Sequence, residues 1–234
     1  MKKNDNTVLI TGGATGIGFA IAKYYHQSGN TVIICGRREN RLAQAKNQLP
    51  GIFTFKSDIA NADERKALFD YTFENFPKIN ILINNAGIQR DIDLTKGLDE
   101  LIDGENEINI NFEAPIYLSA LFTQLLAGKE NATIINISSG LAFMVERASR
   151  CPLYCASKAG LHAFSIAQRI QLAPLGIRVV EIIPPMVESE LNMESRIKRN
   201  MVTSPFMLSA DDFVEKAFAK MEQNIDEINL INLK

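Results

Sequence analysis

Tyr154 and Lys158 are the side chains whose types and spacing best suit proton transfer. They open a segment that continues to Leu172 with apolar residues at helical spacing. Residues four apart on a helix lie on one face, one turn from each other. A free phenol has a pKa of about 10, and a neighbouring ammonium would lower it toward the range where a general acid or base is efficient. The same pair also fits a partly exposed face of an amphipathic helix.

A glycine-rich turn near the start of the chain indicates a phosphate-binding site. The apolar run Thr7–Ile10 leads into Thr11-Gly12-Gly13-Ala14-Thr15-Gly16-Ile17-Gly18, and a helical pattern follows. In this setting Gly12 permits a tight turn close to phosphate, while Gly16 and Gly18 let the helix pack close to the strand. The helix N-terminus then presents N–H groups and its positive dipole end to an anion. The alternative is a glycine turn without a ligand.

The end of the second predicted strand favours NADP(H) over NAD(H). Residues 31–35 are apolar and mostly β-branched, which is typical of a strand buried on both faces, and Gly36-Arg37-Arg38 follow. An acidic residue here would bond the adenosine ribose hydroxyls, whereas arginine accommodates a 2′-phosphate. Arg37 and Arg38 are therefore predicted cofactor contacts. They would also fit the solvated start of a helix.

Short apolar strands alternate with helical segments along the whole chain. Further strands are predicted at 51–56, 79–83, 132–137, 176–183 and near 228–231, and further helices at 40–49, 61–76, 111–128, 154–175 and 210–224. This order predicts an α/β protein with one Rossmann-type doubly wound parallel sheet of about seven strands, flanked by helices. Residues 1–234 are predicted to form a single domain. Residues 186–208 lack periodicity and are interpreted as a substrate lid.

Composition and charge point away from several classes of protein. The 234 residues carry a formal net charge of −2, which gives no electrostatic reason to expect a nucleic acid or a membrane as partner. Three cysteines form no paired framework, and the polar N-terminus carries no apolar segment of signal-peptide length. We therefore expect a cytoplasmic protein. No metal site is predicted, and His162 is expected to be a hydrogen-bonded or surface histidine.

Four motifs occur in the order and rough spacing of the short-chain dehydrogenases/reductases. They are Thr11-Gly12-x-x-x-Gly16-x-Gly18, Asn84-Asn85-Ala86-Gly87, Ser138-Ser139 and Tyr154-x-x-x-Lys158. The resemblance covers residues 7 to about 232. The segments Asn111-Phe-Glu-Ala-Pro-Ile and Glu181-Ile-Ile-Pro-Pro also resemble the bacterial subgroup named after the lipoteichoic-acid D-alanylation operon.

The resemblance implies a role for each matching residue. Tyr154 matches the general acid/base, Lys158 the lysine that binds the nicotinamide ribose and lowers the tyrosine pKa, and Ser139 the serine that orients the substrate oxygen. Asn111 matches the asparagine that holds a water in the proton relay, with Asn109 as a rival. The other implied cofactor contacts are Asp58 and Ile59 at the adenine, Asn85, Ala86 and Gly87 along the ribose side, and Pro184, Val187 and Ser189 after the sixth strand.

These residues predict an NADP(H)-dependent oxidoreductase that interconverts a small-molecule carbonyl and an alcohol by hydride transfer. The alternative is a non-catalytic regulatory or binding protein that senses NADP(H). The apolar helices 111–128 and 154–175 predict a homodimer or homotetramer. The family usually has Pro-Gly where this chain has Pro184-Pro185, which stiffens the entry to the lid. Charges in the 140–153 loop either select a polar or anionic substrate or belong to a solvated loop.

Overall fold

Seven parallel strands form one sheet in the computed structural model, which describes residues 4–102, 104–144, 146, 149–191, 193–198 and 207–231. In chain order they are β1 (Thr7–Thr11), β2 (Thr31–Gly36), β3 (Phe53–Lys56), β4 (Ile81–Asn84), β5 (Thr133–Ile137), β6 (Arg178–Ile183) and β7 (Glu227–Asn229). Their order across the sheet is β3-β2-β1-β4-β5-β6-β7. The order reverses between β1 and β4, where ligands bind in open α/β sheets. The predicted fold class is confirmed.

Helices cover both faces of the sheet. They are α1 (Gly16–Gln27), α2 (Glu39–Gln48), α3 (Ala62–Asn75), α4 (Asp99–Ile102), α5 (Ala114–Leu126), α6 (Pro152–Leu172), α7 (Met193–Lys198) and α8 (Ala210–Glu222). Two helices begin two or more residues from their predicted starts. A π-helical turn, Asn109–Glu113, precedes α5, and α6 begins two residues before Tyr154. Proline suits that start because its fixed φ is helical and the first N–H has no intrahelical partner.

The strands carry near-continuous apolar runs because both of their faces are buried. In β1, Val8 and Ile10 face the layer formed by α1, α2 and α8, while Leu9 faces α3 and α5. All three side chains are fully buried. Each such burial contributes about 1.5–3 kcal/mol, so the two apolar layers hold the sheet in place between the helices.

A row of polar side chains crosses the sheet at, or within two residues of, the ends of four strands. Asn84, Asn136, Glu181 and Glu227 are in register on β4, β5, β6 and β7, so they point to one face. Asn84 Nδ2 donates to Asn136 Oδ1 at 2.9 Å. Asn136 Nδ2 in turn donates to side chains of α6, which lies over this part of the sheet. These bonds offset the cost of burying amides.

The turn between β1 and α1 is closed by contacts that only glycine permits. Gly12 has φ +63°, and a Cβ there would lie 2.9 Å from the Cα of Ala86. A Cβ on Gly18 would lie 2.2 Å from the carbonyl oxygen of Gly12. The predicted close packing is therefore present at Gly18. Gly16 differs, because its φ is +54° and its Cβ would face Ser189.

Part of the predicted lid, residues 192 and 199–206, lies outside the described residues, as does Arg147 of the 140–153 loop. Within the described part of 186–208, α7 is helical and Val187 pairs with Leu208 in a parallel bridge. The role of this segment as a lid stays a prediction. Among the described helices, none is long and apolar enough to cross a membrane.

Gly18→Ala is expected to lower the free energy of unfolding by at least about 1–3 kcal/mol, because the added methyl group overlaps a backbone carbonyl that cannot move freely. Urea unfolding measures the change. Gly36→Ala is the matched control, since a Cβ at Gly36 meets nothing within 4 Å. Equal stability of the two variants would contradict the close approach of α1 to β1.

Candidate active site

A cleft of about 450 Å³ opens at the carboxyl ends of the central strands. This volume falls in the usual range for ligand pockets, about 300–1,000 Å³. The predicted cofactor contacts that line the cleft are Gly12, Thr15, Gly16, Ile17, Gly18, Arg37, Arg38, Asp58, Ile59, Asn85, Ala86, Gly87, Tyr154, Lys158, Pro184 and Ser189. Val187 is not among its lining residues and is buried against the core.

Thr11 and Asn85 hold the glycine turn against the loop after β4. The backbone N–H groups of Asn85 and Ala86 both donate to Thr11 Oγ1 at 3.0 Å. Asn85 Nδ2 donates to the Thr11 carbonyl at 2.9 Å. The Asn85 side chain therefore binds the neighbouring turn, and the backbone of Ala86 and Gly87 is left to line the cleft. The start of α1, with extended Thr15 before it, directs N–H groups at the same space.

Three arginines and two carboxylates line the end of the cleft beyond β2, where the sequence predicts contacts to adenosine. Arg37 pairs with Glu105. Glu190 pairs with Arg38 at 2.9 Å and with Arg41 at 2.5 Å. Sequence reasoning missed Arg41, although it follows Arg37 by four residues at the start of α2. It also missed the two acids, because they come from distant loops.

Asp58 lies at the edge of the cleft beyond β3. Its Oδ1 accepts a hydrogen bond from the N–H of Ala60 at 3.0 Å, and its own N–H donates to Glu64 Oε2 at 2.6 Å. Ile59 is 5 % exposed and presents a small apolar surface to the cleft. This pair of a carboxylate and an apolar side chain suits the edge and face of a planar base.

Tyr154 is buried at the inner end of the cleft, beside Ser139. Burial raises the pKa of Tyr154 to about 12; the Ser139 hydrogen bond opposes this rise, and nearby Cys151, Cys155 and Glu107 add to it. Lys158, which is predicted to lower this pKa, is not among the groups that shift it. Desolvation is the largest cause, and the phenol is protonated at neutral pH.

Lys158 is buried one helical turn beyond the tyrosine. Its Nζ donates to the carbonyl oxygen of Ile137, at the end of β5, at 2.8 Å, and lies 5.9 Å from the centre of the Tyr154 ring. Burial lowers the pKa of Lys158 to about 8, and the charge of Glu181 opposes this fall. With a pKa of about 8, this buried amine is still mostly protonated at neutral pH.

Asn111 lies in the π-helical turn, and such turns are frequent at functional sites. Its Oδ1 accepts from the N–H of Ile88 and its Nδ2 donates to the Ile88 carbonyl, both at 2.8 Å. A Cβ on Gly87 would meet Asn111 Oδ1 at 3.1 Å and Lys158 Nζ at 3.5 Å. Asn111 is therefore beside Lys158, whereas Asn109 donates to the Ala60 carbonyl.

Glu107, close to Tyr154, carried no recognised signal in the sequence. Glu107 is fully buried, and its burial raises the pKa of that carboxyl group. Its Oε1 accepts from the N–H of Arg90 at 3.0 Å. Cys151 and Cys155 are also buried, with their sulfur atoms 4.0 Å apart. His162 bonds Glu181 Oε2 through Nδ1 at 2.7 Å, so the predicted hydrogen-bonded histidine is present.

This cleft and its side chains fit a dinucleotide: the glycines open the turn to a phosphate, and arginines lie at one end and a tyrosine–lysine pair at the other. A sequence profile of the short chain dehydrogenase family matches residues 6–200. The chain belongs to this family.

Its relatives include an uncharacterized oxidoreductase, DltE, from Bacillus subtilis. That protein is 45 % identical over 228 residues, which cover 97 % of this chain and 89 % of the relative. The resemblance to the subgroup named after the lipoteichoic-acid D-alanylation operon is therefore confirmed. An uncharacterized oxidoreductase from Staphylococcus saprophyticus is 28 % identical over 97 % of both chains.

Solved structures show the same fold. A short-chain dehydrogenase from Sphingobium yanoikuyae in complex with NADPH superposes with a TM-score of 0.82 and 26 % identity, covering 97 % of this chain and 89 % of that one. A family member from Burkholderia phymatum in complex with NAD superposes with a TM-score of 0.86 and 20 % identity, covering 98 % and 90 %. Neighbours of this fold thus bind either dinucleotide.

Replacement of Lys158 by methionine tests its buried charge. The folded-state pKa is about 8, below the ordinary 10.5, so between these values the unfolded chain holds a proton that the folded chain has lost. The native free energy of unfolding therefore gains about 3 kcal/mol from this group as pH rises through that window. Lys158→Met lacks this gain. The free energy of unfolding of the variant should therefore fall by about 3 kcal/mol relative to that of the native protein between pH 7 and 10.5. Denaturant titrations at each pH measure the free energy of unfolding of both proteins. A difference between them that stays constant from pH 7 to 10.5 would contradict a lowered pKa of Lys158 in the folded state.

Proposed function

We propose that this protein is an NADP(H)-dependent oxidoreductase that interconverts a carbonyl and an alcohol, with Tyr154 as the general acid/base. The observation that carries the proposal is a buried phenol at the inner end of a dinucleotide-sized cleft, with Ser139 and Lys158 beside it. Family membership gives the reaction class, oxidoreduction, and these side chains supply groups for moving a proton.

Each side chain has a distinct task in the proposed reaction. NADPH, when bound, supplies the hydride that reduces the carbonyl carbon. Tyr154, protonated at neutral pH, gives its proton to the substrate oxygen as negative charge develops there. Ser139 donates a hydrogen bond to the same oxygen and stabilises that charge. The Lys158 ammonium stabilises the phenolate left behind, and Asn111 holds the backbone of Ile88 in place beside it.

Cofactor preference depends on the arginines at the adenosine end. Arg37, Arg38 and Arg41 line the cleft, and guanidinium groups bind phosphate through paired hydrogen bonds. Glu105 and Glu190 now accept those bonds, so a 2′-phosphate would take their place. No acidic residue follows β2 directly to bond the ribose hydroxyls of NAD(H), since Gly36 ends that strand. This arrangement supports NADP(H), as in the Sphingobium yanoikuyae relative.

The remaining predictions extend this proposal. The substrate is a small molecule, and the protein is expected in the cytoplasm as a homodimer or homotetramer. Tyr117 of α5 and Ile170 of α6 are 51 % and 73 % exposed, which supports burial of these helices against a second copy.

Tyr154→Phe is expected to lower turnover of a carbonyl substrate with NADPH by about 10²–10⁴-fold or more, because the proton donor is removed. The dissociation constant for NADPH should change little, since only the hydroxyl group is lost. Steady-state kinetics with a panel of aldehydes and ketones, together with fluorescence titration of NADPH, measure both quantities.

Tyr71→Phe is the matched control, because Tyr71 stacks on Phe55, is not among the residues that line the cleft, and should keep full activity. Retention of most activity by Tyr154→Phe would contradict its role. Tight NADPH binding by the native protein without turnover of any panel member would instead favour the NADP(H)-sensing regulator.

Arg37→Ala and Arg41→Ala are each expected to weaken NADPH binding by roughly 10- to 100-fold, the loss of a hydrogen bond to a charged group. NADH binding should change little, because NADH has no 2′-phosphate. Lys66→Ala, on the exposed side of α3, removes a positive charge elsewhere and serves as control. An equal loss of affinity for both cofactors would contradict the assignment of a 2′-phosphate site.

A further inference from the structure

A cluster outside the cleft brings together an imidazole and two carboxylates from three elements of the fold. His162 comes from α6, Glu181 from β6 and Glu227 from β7. One ligand atom from each lies within 4.8 Å of the others. The cluster lies one helical turn beyond Lys158 on α6, and the proposed reaction uses none of its side chains.

The register of the sheet forces the two carboxylates together. Glu181 and Glu227 are paired residues on neighbouring parallel strands, so their side chains leave the same face side by side. Like charges at such positions repel each other. The repulsion is strengthened by the full burial of Glu181, because a buried carboxylate has lost its water. A positive charge between the two acids would remove this cost.

His162 provides a hydrogen-bond partner for only one oxygen of Glu181. His162 Nδ1 lies 2.7 Å from Glu181 Oε2. The other oxygen of this fully buried carboxylate, Oε1, has no hydrogen-bond partner among the described residues. An acceptor with no partner in the interior is costly and marks a position where a further ligand would be favourable.

We propose that His162, Glu181 and Glu227 bind a divalent transition-metal ion, with Zn²⁺ as the best match. One imidazole nitrogen and two carboxylate oxygens are a ligand set that Zn²⁺ accepts, with water in the remaining position. Mg²⁺ and Ca²⁺ fit poorly, because they prefer sites built from oxygen alone. Neutral His162 would donate a ring nitrogen to the metal, and both carboxylates would be ionised.

The geometry needs only a small adjustment. Ligand atoms around tetrahedral Zn²⁺ are about 3.3 Å apart, given bonds of about 2.0–2.2 Å. His162 and Glu181 are already adjacent, and Glu227 is exposed on β7, at the edge of the sheet, where its side chain can turn inward. The bound ion would tie α6 to β6 and β7, and so steady the helix that carries Tyr154 and Lys158.

Binding of ZnCl₂ by the tag-free full chain tests the proposal directly, with no need for a substrate or for enzyme activity. Isothermal titration is expected to give one Zn²⁺ per chain, and MgCl₂ in excess should not compete. Zn²⁺ should also raise the thermal unfolding midpoint, because it binds the folded state alone. Titration with CoCl₂ should give the absorption of a site with nitrogen and oxygen ligands.

Glu227→Gln is the principal variant, since an exposed side chain can be changed without loss of the fold. It should weaken Zn²⁺ binding by more than the ~10- to 100-fold typical of losing an outer-shell partner, and should abolish the thermal shift. His162→Ala should do the same. His26→Ala, which replaces the chain's other histidine, should bind Zn²⁺ as the native protein does.

Three outcomes would overturn the proposal. Absence of Zn²⁺ binding would leave a plain His162–Glu181 pair. Unchanged binding by Glu227→Gln would exclude the three-residue site. A thiolate charge-transfer band with Co²⁺ would place the ion at Cys151 and Cys155 instead.

Discussion

Desolvation of the Lys158 ammonium is the constraint around which the active site is built. Its charge is removed from water between α6 and the end of β5, and the Ile137 carbonyl is the partner that keeps it oriented there. The position of that carbonyl is fixed by the pairing of β5 with β4 and β6, so the sheet fixes where the lysine lies. The Tyr154 phenol lies one turn earlier on the same helix, so its position depends on the same contact. Burial then lowers the pKa of Lys158 and raises the pKa of Tyr154, because it disfavours the charged form of each group.

The row of polar side chains across β4 to β7 fixes the position of α6, the helix that carries Lys158, relative to the sheet. Most of a doubly covered parallel sheet is apolar, yet Asn84, Asn136 and Glu181 are fully or almost fully buried in it. Their hydrogen bonds reach α5 and α6, which fixes both helices at defined heights over the strands. Apolar packing alone tolerates small sliding motions, whereas paired amides do not. The row therefore specifies the position of α6 relative to the cleft, and it ends in the acids of the proposed metal site.

The ion pairs at the arginine end of the cleft are weak enough for a bound anion to replace the carboxylate. Glu190 bridges Arg38 and Arg41, and these side chains are partly exposed, so each ion pair contributes little to stability. A phosphate that arrives with more negative charge can displace the carboxylate at small cost. The chain thus keeps its guanidinium groups oriented toward the cleft while holding them in weak contacts. Under the proposed function, the same exposure would make cofactor binding at this end of the cleft sensitive to salt, unlike the buried tyrosine–lysine end.

Local pattern in the sequence determined the alternation of strands and helices, the glycine turn and the tyrosine–lysine pair, because each depends on neighbours within a few residues along the chain. The resemblance to a family added Ser139, which lies beside Tyr154, and Asn111, which lies beside Lys158; no spacing rule could have placed either residue there. Only the tertiary structure decided which charges meet: Arg41 with Glu190, and Glu181 with Glu227. Those contacts depend on strand order and register, which join residues dozens of positions apart. The direction of the Tyr154 pKa shift was also decided there, because burial is a property of the folded core and is the largest cause of that shift.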